Sequence, residues 1–149
     1  MPTTVKIRKI SLIKLRRKHF PLFYKWWNDP ALGRLTSGVK EKMTETKVAE
    51  VLEKHLLNKR GKDFIITVDQ KPAGHVLIQK KKRKKYFEIY IAIGEKSYWN
   101  KGVGTLSMRR ACSWFFRHYP NEGAIELEVL VGNSRAIRCY EKIGFEKIR

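Results

Sequence analysis

The residues from Glu88 to Thr105, EIYIAIGEKSYWNKGVGT, constrain this chain more than any other stretch. β-Branched and aromatic residues from Tyr86 to Ile93 predict a strand. Apolar residues at spacings of three and four (Met108, Cys112, Phe115, Tyr119) predict a helix from about Val103 to His118. Gly102 and Gly104 join the two. A strand that feeds a helix through glycines leaves backbone N–H groups without intrahelical acceptors at the positive end of the helix dipole. Lys101 adds a full charge, so the junction predicts a site for a phosphate or pyrophosphate. The loop is not Walker A, since no Gly-Lys-Ser/Thr closes it. Nor is it the dinucleotide fingerprint, since Ser107 stands where a third glycine belongs. Taken alone, the loop is equally well explained as an ordinary strand-to-helix turn.

A second stretch lies near the C-terminus, LEVLVGNSRAIRCYEKIGF from Leu127 to Phe145. Together with SYWNKGVGT it resembles the GNAT superfamily of acyl-CoA-dependent N-acetyltransferases. In that family a Q/R-x-x-G-x-G/A loop follows the fourth strand, and N-x-x-A-x-x-x-Y-E-K-x-G-F forms the last helix. Asn133, Ala136, Tyr140, Glu141, Lys142, Gly144 and Phe145 match the second pattern, and the two motifs stand in the family's order. Trp99 occupies the Q/R position, as in the branch that resembles ribosomal-protein and polyamine acetyltransferases. That replacement removes one side-chain donor, leaving anion binding to backbone amides, Asn100 and Lys101.

The resemblance implies an α/β GNAT fold in one domain, residues 1–149. Its mixed, mostly antiparallel sheet would have six strands flanked by about four helices, with the family's last strand missing. It also implies transfer of an acetyl group from acetyl-CoA to a primary amine, on a protein N-terminus or a small molecule, by direct attack on the thioester. Acetyl-CoA would lie against Ile91, Ala92, Ile93, Trp99, Asn100, Lys101, Gly102, Val103, Gly104, Thr105, Asn133 and Tyr140. A bulge around Ile91 to Ile93 would free the backbone donor for the oxyanion.

The acceptor ammonium, with a reference pKa near ~10.4, needs a base. Glu128 matches the family's carboxylate; Glu126, on the same strand face, and Glu88 are further candidates. Solvated or lysine-paired glutamates explain all three equally well. Tyr140 matches the general acid. Its reference pKa near ~10 exceeds a thiol's ~8.5, so it donates a hydrogen bond at least and a proton only if its pKa is lowered. Trp27, Asn28 and Asp29 match the segment preceding the loop that shapes the acceptor pocket, although two tryptophans on a helix also read as packing onto a sheet.

The chain read in order predicts a strand at Val5–Ile10, then a helix over FPLFYKWWND that Pro30 stops. Gly33–Lys42 reads as irregular. A helix from Glu45 to Asn58 follows, N-capped by Thr44, with His55 as a packed or partly solvated histidine on its apolar face. Strands at Phe64–Val68 and Ala73–Gln79 form a hairpin through Asp69–Pro72. Lys80 to Lys85 are six consecutive cations, either a solvated loop or a finger that touches phosphates. Ala124–Val131 reads as the fifth strand. Asn133 is expected to N-cap the last helix, Gly144 to end it, and Phe145–Arg149 to begin a sixth strand.

Charge bears on partners. Lys and Arg number 33 against 14 Asp and Glu, a formal +19, which attracts polyanions and repels polycations. An acidic partner or RNA would use that field, and lysine-rich solubility explains it as well. A basic RNA- or ribosome-binding module that keeps the fold without turnover is therefore the alternative function. Cys112 and Cys139 show no metal-ligand or secreted-scaffold spacing and read as free thiols, no metal is expected, and no apolar run suits a membrane span. A cytoplasmic protein is expected, and an unpaired sheet edge raises a possible homodimer.

Overall fold

The computed structural model describes residues 9–36, 42–58, 61–80 and 85–148. The expected features at 5–8, 37–41, 81–84 and 149 lie outside them. Five strands form one sheet in the order β1 to β5: β1 (Ile10–Lys14), β2 (Gly61–Val68), β3 (Lys71–Lys80), β4 (Phe87–Ile93) and β5 (Ile125–Glu126). The first four pair antiparallel and β5 runs parallel to β4. Among the described residues five α-helices accompany them: α1 (Phe20–Trp27), α2 (Pro30–Thr36), α3 (Glu45–Leu57), α4 (Val103–His118) and α5 (Ser134–Ile143). The α/β class and mixed sheet are as expected, with five strands among the described residues rather than six.

Strand alternation sends side chains to two cores. Phe64, Ile66, Val76, Ile78 and Ile89 meet Met108, Ala111 and Phe115 of α4 on one face. Ile65 and Leu77 meet Phe23, Trp26, Val48 and Leu52 of α1 and α3 on the other. Gly94 lies directly on the buried Trp26: a Cβ there would stand 2.3 Å from the indole. Gly94→Ala should therefore cost about 1–3 kcal/mol through overpacking, read from urea unfolding. An unchanged midpoint would show that Trp26 moves aside freely.

Several boundaries differ from the sequence reading for identifiable reasons. Pro30 starts α2 instead of ending a helical run, because its fixed φ suits a first turn and Asp29 Oδ1 accepts the amide of Ala31 at 3.0 Å. The hairpin turn is the pair Asp69 and Gln70, both left-handed at φ 46° and 73°, which matches strand twist. β3 therefore begins at Lys71, and Pro72 sits beside the register shift between Ile66 and Thr67. α3 and α4 fall where expected, with Thr44 Oγ1 accepting from the amide of Lys47 at 3.1 Å.

The larger corrections concern the C-terminal third. The predicted fifth strand from Ala124 to Val131 contributes only two ladder pairs, Phe87 with Ile125 and Glu88 with Glu126. Beyond Glu126 the chain leaves the sheet, and period-two patterning carries no signal of a departing partner. Residues 145–148 form no strand. The amide of Phe145 is taken by Tyr140 O at 3.0 Å, closing the end of α5 beside Gly144 at φ 120°.

Candidate active site

β4 and β5 diverge after two pairs, and the divergence opens the site. Phe87 donates its amide toward β5, to Ala124 O, and the β3–β4 register runs unbroken. Strand alternation then turns the amides of Ile91 and Ile93 to the same edge, beyond the last β5 pair at Glu88 with Glu126. The expected bulge at Ile91–Ile93 is absent; the free edge comes from the early end of β5.

A cleft of about 210 Å³ runs along this edge to the starts of α4 and α5. Of the residues expected to contact a carrier, Ile91, Ala92, Ile93, Trp99, Asn100, Gly102, Val103, Gly104, Thr105, Asn133 and Tyr140 line it. Lys101 is exposed and does not. Gly102 caps α4 at φ 80° without a side-chain bond. The first intrahelical acceptance is Leu106 N–H to Gly102 O, so the amides of Val103, Gly104 and Thr105 have no acceptor within the helix. Trp99 does not face an anion with its donor: the indole N–H bonds Ile93 O at 2.7 Å and fastens the loop to the strand.

The other wall is α5, N-capped by Asn133 Oδ1, which accepts from Ala136 at 3.3 Å. Arg135 donates to Asn100 Oδ1, and Thr105 Oγ1 lies 2.9 Å from Cys139 Sγ, so polar contacts cross the mouth. Tyr140 packs edge-on to Phe145, and its pKa is pushed up to about 12 by burial and by neighbouring Cys139. Its hydroxyl therefore stays protonated at neutral pH. Cys112, on α4, is likewise pushed up to about 11 by burial and is a poor nucleophile. Arg135, Ala136, Cys139, Leu32 and Tyr98 line the cleft as well, although none was expected to contact the carrier. The helical spacing of Asn133, Ala136, Cys139 and Tyr140 placed them on one face and was the available signal.

A second cleft, about 400 Å³, opens on the α3 face, lined by Trp27, Val51, His55, Asn58, Leu77, Gln79, Lys80 and Tyr90. Asp63 lies beneath it, buried, accepting from Gln79 Nε2 at 2.7 Å and standing 3.4 Å from His55 Nδ1. Glu88 is 7% exposed, on the same strand face as Tyr90, whose hydroxyl donates to it. Glu126 is its half-buried register partner.

The remaining expected residues lie elsewhere. Glu128 is exposed and off the sheet, in neither cleft. Asn28 bonds Met43 N at 2.7 Å through Oδ1 and Tyr24 O and Met43 O through Nδ2, which ties the end of α1 to the approach to α3. Asp29 caps α2 and pairs with Lys96 at 3.3 Å. These two side chains are occupied by the scaffold, and only Trp27 of the three reaches a cleft.

The family model described as an acetyltransferase (GNAT) domain matches residues 9–146. The chain belongs to the GNAT acetyltransferase family. Solved structures support the fold. A domain from Methanocaldococcus jannaschii DSM 2661 superposes with a TM-score of 0.80 at 22% identity, covering 95% of this chain and 90% of that one. Spermidine N-acetyltransferase from Vibrio cholerae, solved with CoA and spermine, gives 0.82 at 22% identity over 94% and 82%. The aminoglycoside acetyltransferase AAC(6')-Ib with coenzyme A gives 0.79 at 22% over 94% and 86%. Within this GNAT chain, no described helix is long and apolar enough to cross a membrane.

Proposed function

We propose that this GNAT chain transfers an acetyl group from acetyl-CoA to a primary amine, with the carrier in the α4–α5 cleft. One observation carries the reading: acceptor-free amides at the start of α4 and the open edge of β4 meet in a single cleft that also holds Tyr140. That donor set suits a diphosphate joined to an amide-bearing arm. The CoA complexes of the Vibrio cholerae and AAC(6')-Ib proteins support the same assignment. When bound, acetyl-CoA supplies an acyl group activated as a thioester.

The chain's own residues divide the work. Val103, Gly104 and Thr105 offer amides to the anion, and Lys101 adds charge nearby. An edge amide of β4, that of Ile91 or Ile93, donates to the carbonyl oxygen as negative charge develops. Glu88 takes the proton of the acceptor ammonium; Glu126 stands beside it in the ladder, and the exposed Glu128 is the weaker choice. Tyr140 donates a hydrogen bond to the departing sulfur. Full transfer from a group at about 12 to a thiolate near ~8.5 would cost about 5 kcal/mol, so donation without transfer is the role assigned.

Tyr140→Phe should lower kcat about 10- to 100-fold, the worth of one hydrogen bond to a charged atom, with little change in acetyl-CoA affinity. The assay is thiol release from acetyl-CoA across an amine panel, beside a thermal-shift series. Carrier at 100 times its Kd should stabilise the native protein by about 2.7 kcal/mol. Unchanged turnover in the variant would remove Tyr140 from the mechanism.

A second reading, the basic RNA- or ribosome-binding module, draws on the +19 charge and on exposed Arg109, Arg110 and Arg117 along α4. Salt-sensitive RNA binding without stabilisation by acetyl-CoA would select it. A cytoplasmic setting accords with two free, half-buried thiols. β5 is the terminal strand of the sheet among the described residues, which supports a homodimer joined along that edge; a monomer in sedimentation would exclude this.

A further inference from the structure

The cleft on the α3 face narrows the acceptor, and this inference rests on the acetyl-transfer reading. Tyr90 lines this cleft, and Ala92, two residues on and on the same face of β4, lines the carrier's cleft. At ~3.3 Å per strand residue the two openings stand roughly 7 Å apart along one strand. A molecule seated in the first therefore presents an end group to the second.

The lining sorts acceptors by charge. Trp27, Tyr90, Val51 and Leu77 form an aromatic and aliphatic wall, and His55, Asn58 and Gln79 form a polar margin. No carboxylate among the described residues lines the cleft. Of the two bonded to its lining, Asp63 is covered by Gln79 and His55, and Glu88, which accepts from the Tyr90 hydroxyl, is the one carboxylate left for the reacting amine. Outside the described residues the sequence holds a single acid, Glu41, among ten lysines and arginines. A polycation would leave its second and third ammonium groups without carboxylates, within the field of a strongly cationic chain. Asp63 engages His55 through Nδ1, so Nε2 is the nitrogen that faces a ligand, and the carboxamides of Asn58 and Gln79, bonded to each other and to Asp63, hold that polar margin in place.

We propose that this cleft seats the acceptor, and that the acceptor is a single amine on an uncharged, hydrogen-bonding body, the N-terminus of a peptide. The spermine and aminoglycosides named for the structural neighbours belong to a different charge class. His55 and Trp27 set this specificity, His55 by a hydrogen bond and Trp27 by apolar contact.

The test measures thiol release at saturating acetyl-CoA with three probes: the tripeptide amide Ser-Phe-Ala, whose α-amine is its one ionisable group, spermidine and kanamycin. The tripeptide should exceed both polycations in kcat/KM by about tenfold or more. His55→Leu and Trp27→Ala should each raise its KM about tenfold while kcat stays within about twofold and acetyl-CoA stabilises each variant as it does the wild type. If His55→Leu fails to fold, His55→Asn, which keeps a donor toward Asp63, reads the same KM. Spermidine or kanamycin turned over as well as the tripeptide, or an unchanged KM in both variants, would overturn the inference and leave acetyl transfer standing. A wild-type protein that acetyl-CoA does not stabilise would overturn acetyl transfer itself, and the inference with it.

Discussion

Glu88→Gln should lower kcat/KM for an amine acceptor about 100- to 1000-fold, the loss expected when a positioned base is removed. The carboxylate is buried on the central strand of the site, bonded from Tyr90, with Gln79 opposite on β3 and Glu126 opposite on β5. The amide is nearly isosteric, so the fold and acetyl-CoA binding should survive. The deficit should shrink as pH rises, because the acceptor then loses its proton to water unaided. For a peptide α-amine that recovery begins near pH ~8, and for a lysine-like amine nearer ~10. Glu128→Gln is the control, expected within about twofold because its side chain is exposed and off the ladder. Equal losses in the two variants, or a deficit constant with pH, would remove Glu88 from the role of base.

The largest stability effect should come from acid and from one histidine. His75 on β3 is fully enclosed, stacked on Phe23 at 4.8 Å with Trp26 and Trp27 nearby, and neither ring nitrogen has a partner among the described residues. Burial, then the nearby His55, depress its pKa from 6.5 to about 3. Between those values the unfolded chain binds a proton that the folded form refuses, so stability falls as pH falls. The loss from this one group should be about 2 kcal/mol at pH 5 and approach ~5 kcal/mol near pH 3. Above pH 6.5 the group contributes no slope. His75→Leu, which removes the titrating ring at similar volume, should flatten this acid limb. Urea unfolding at pH 7 and pH 5 checks it, and an equal pH 5 loss in wild type and variant would exclude His75 as the source.

The cleft between α4 and α5 was legible in the sequence because its determinants are local. Gly102, Gly104 and the long apolar periodicity of α4 announce a strand, a turn and a helix start without tertiary knowledge. Asn133, Tyr140 and Gly144 are likewise fixed by their places on one short helix. What failed was non-local. Ala124–Val131 has good strand composition throughout, yet where its partner diverges depends on β4 and not on its own residues. Asn28 and Asp29 looked like ligand groups, but their hydrogen bonds go to Met43 and Ala31, which only the packed structure reveals. The α3-side cleft is not legible in the sequence because it draws on four separate segments.

The two-pair junction between β4 and β5 also bears on motion. α5 buries no residue completely, and side-chain contacts such as Thr105 with Cys139 and Arg135 with Asn100 bridge it to the α4 loop across the mouth. A segment so lightly anchored opens at low free energy, ahead of the four-stranded meander. A carrier lodged between the two helices would act as a clasp. Backbone amides of α5 would then exchange with deuterium far more slowly in the liganded protein, whereas those of β2 and β3 would keep one rate throughout.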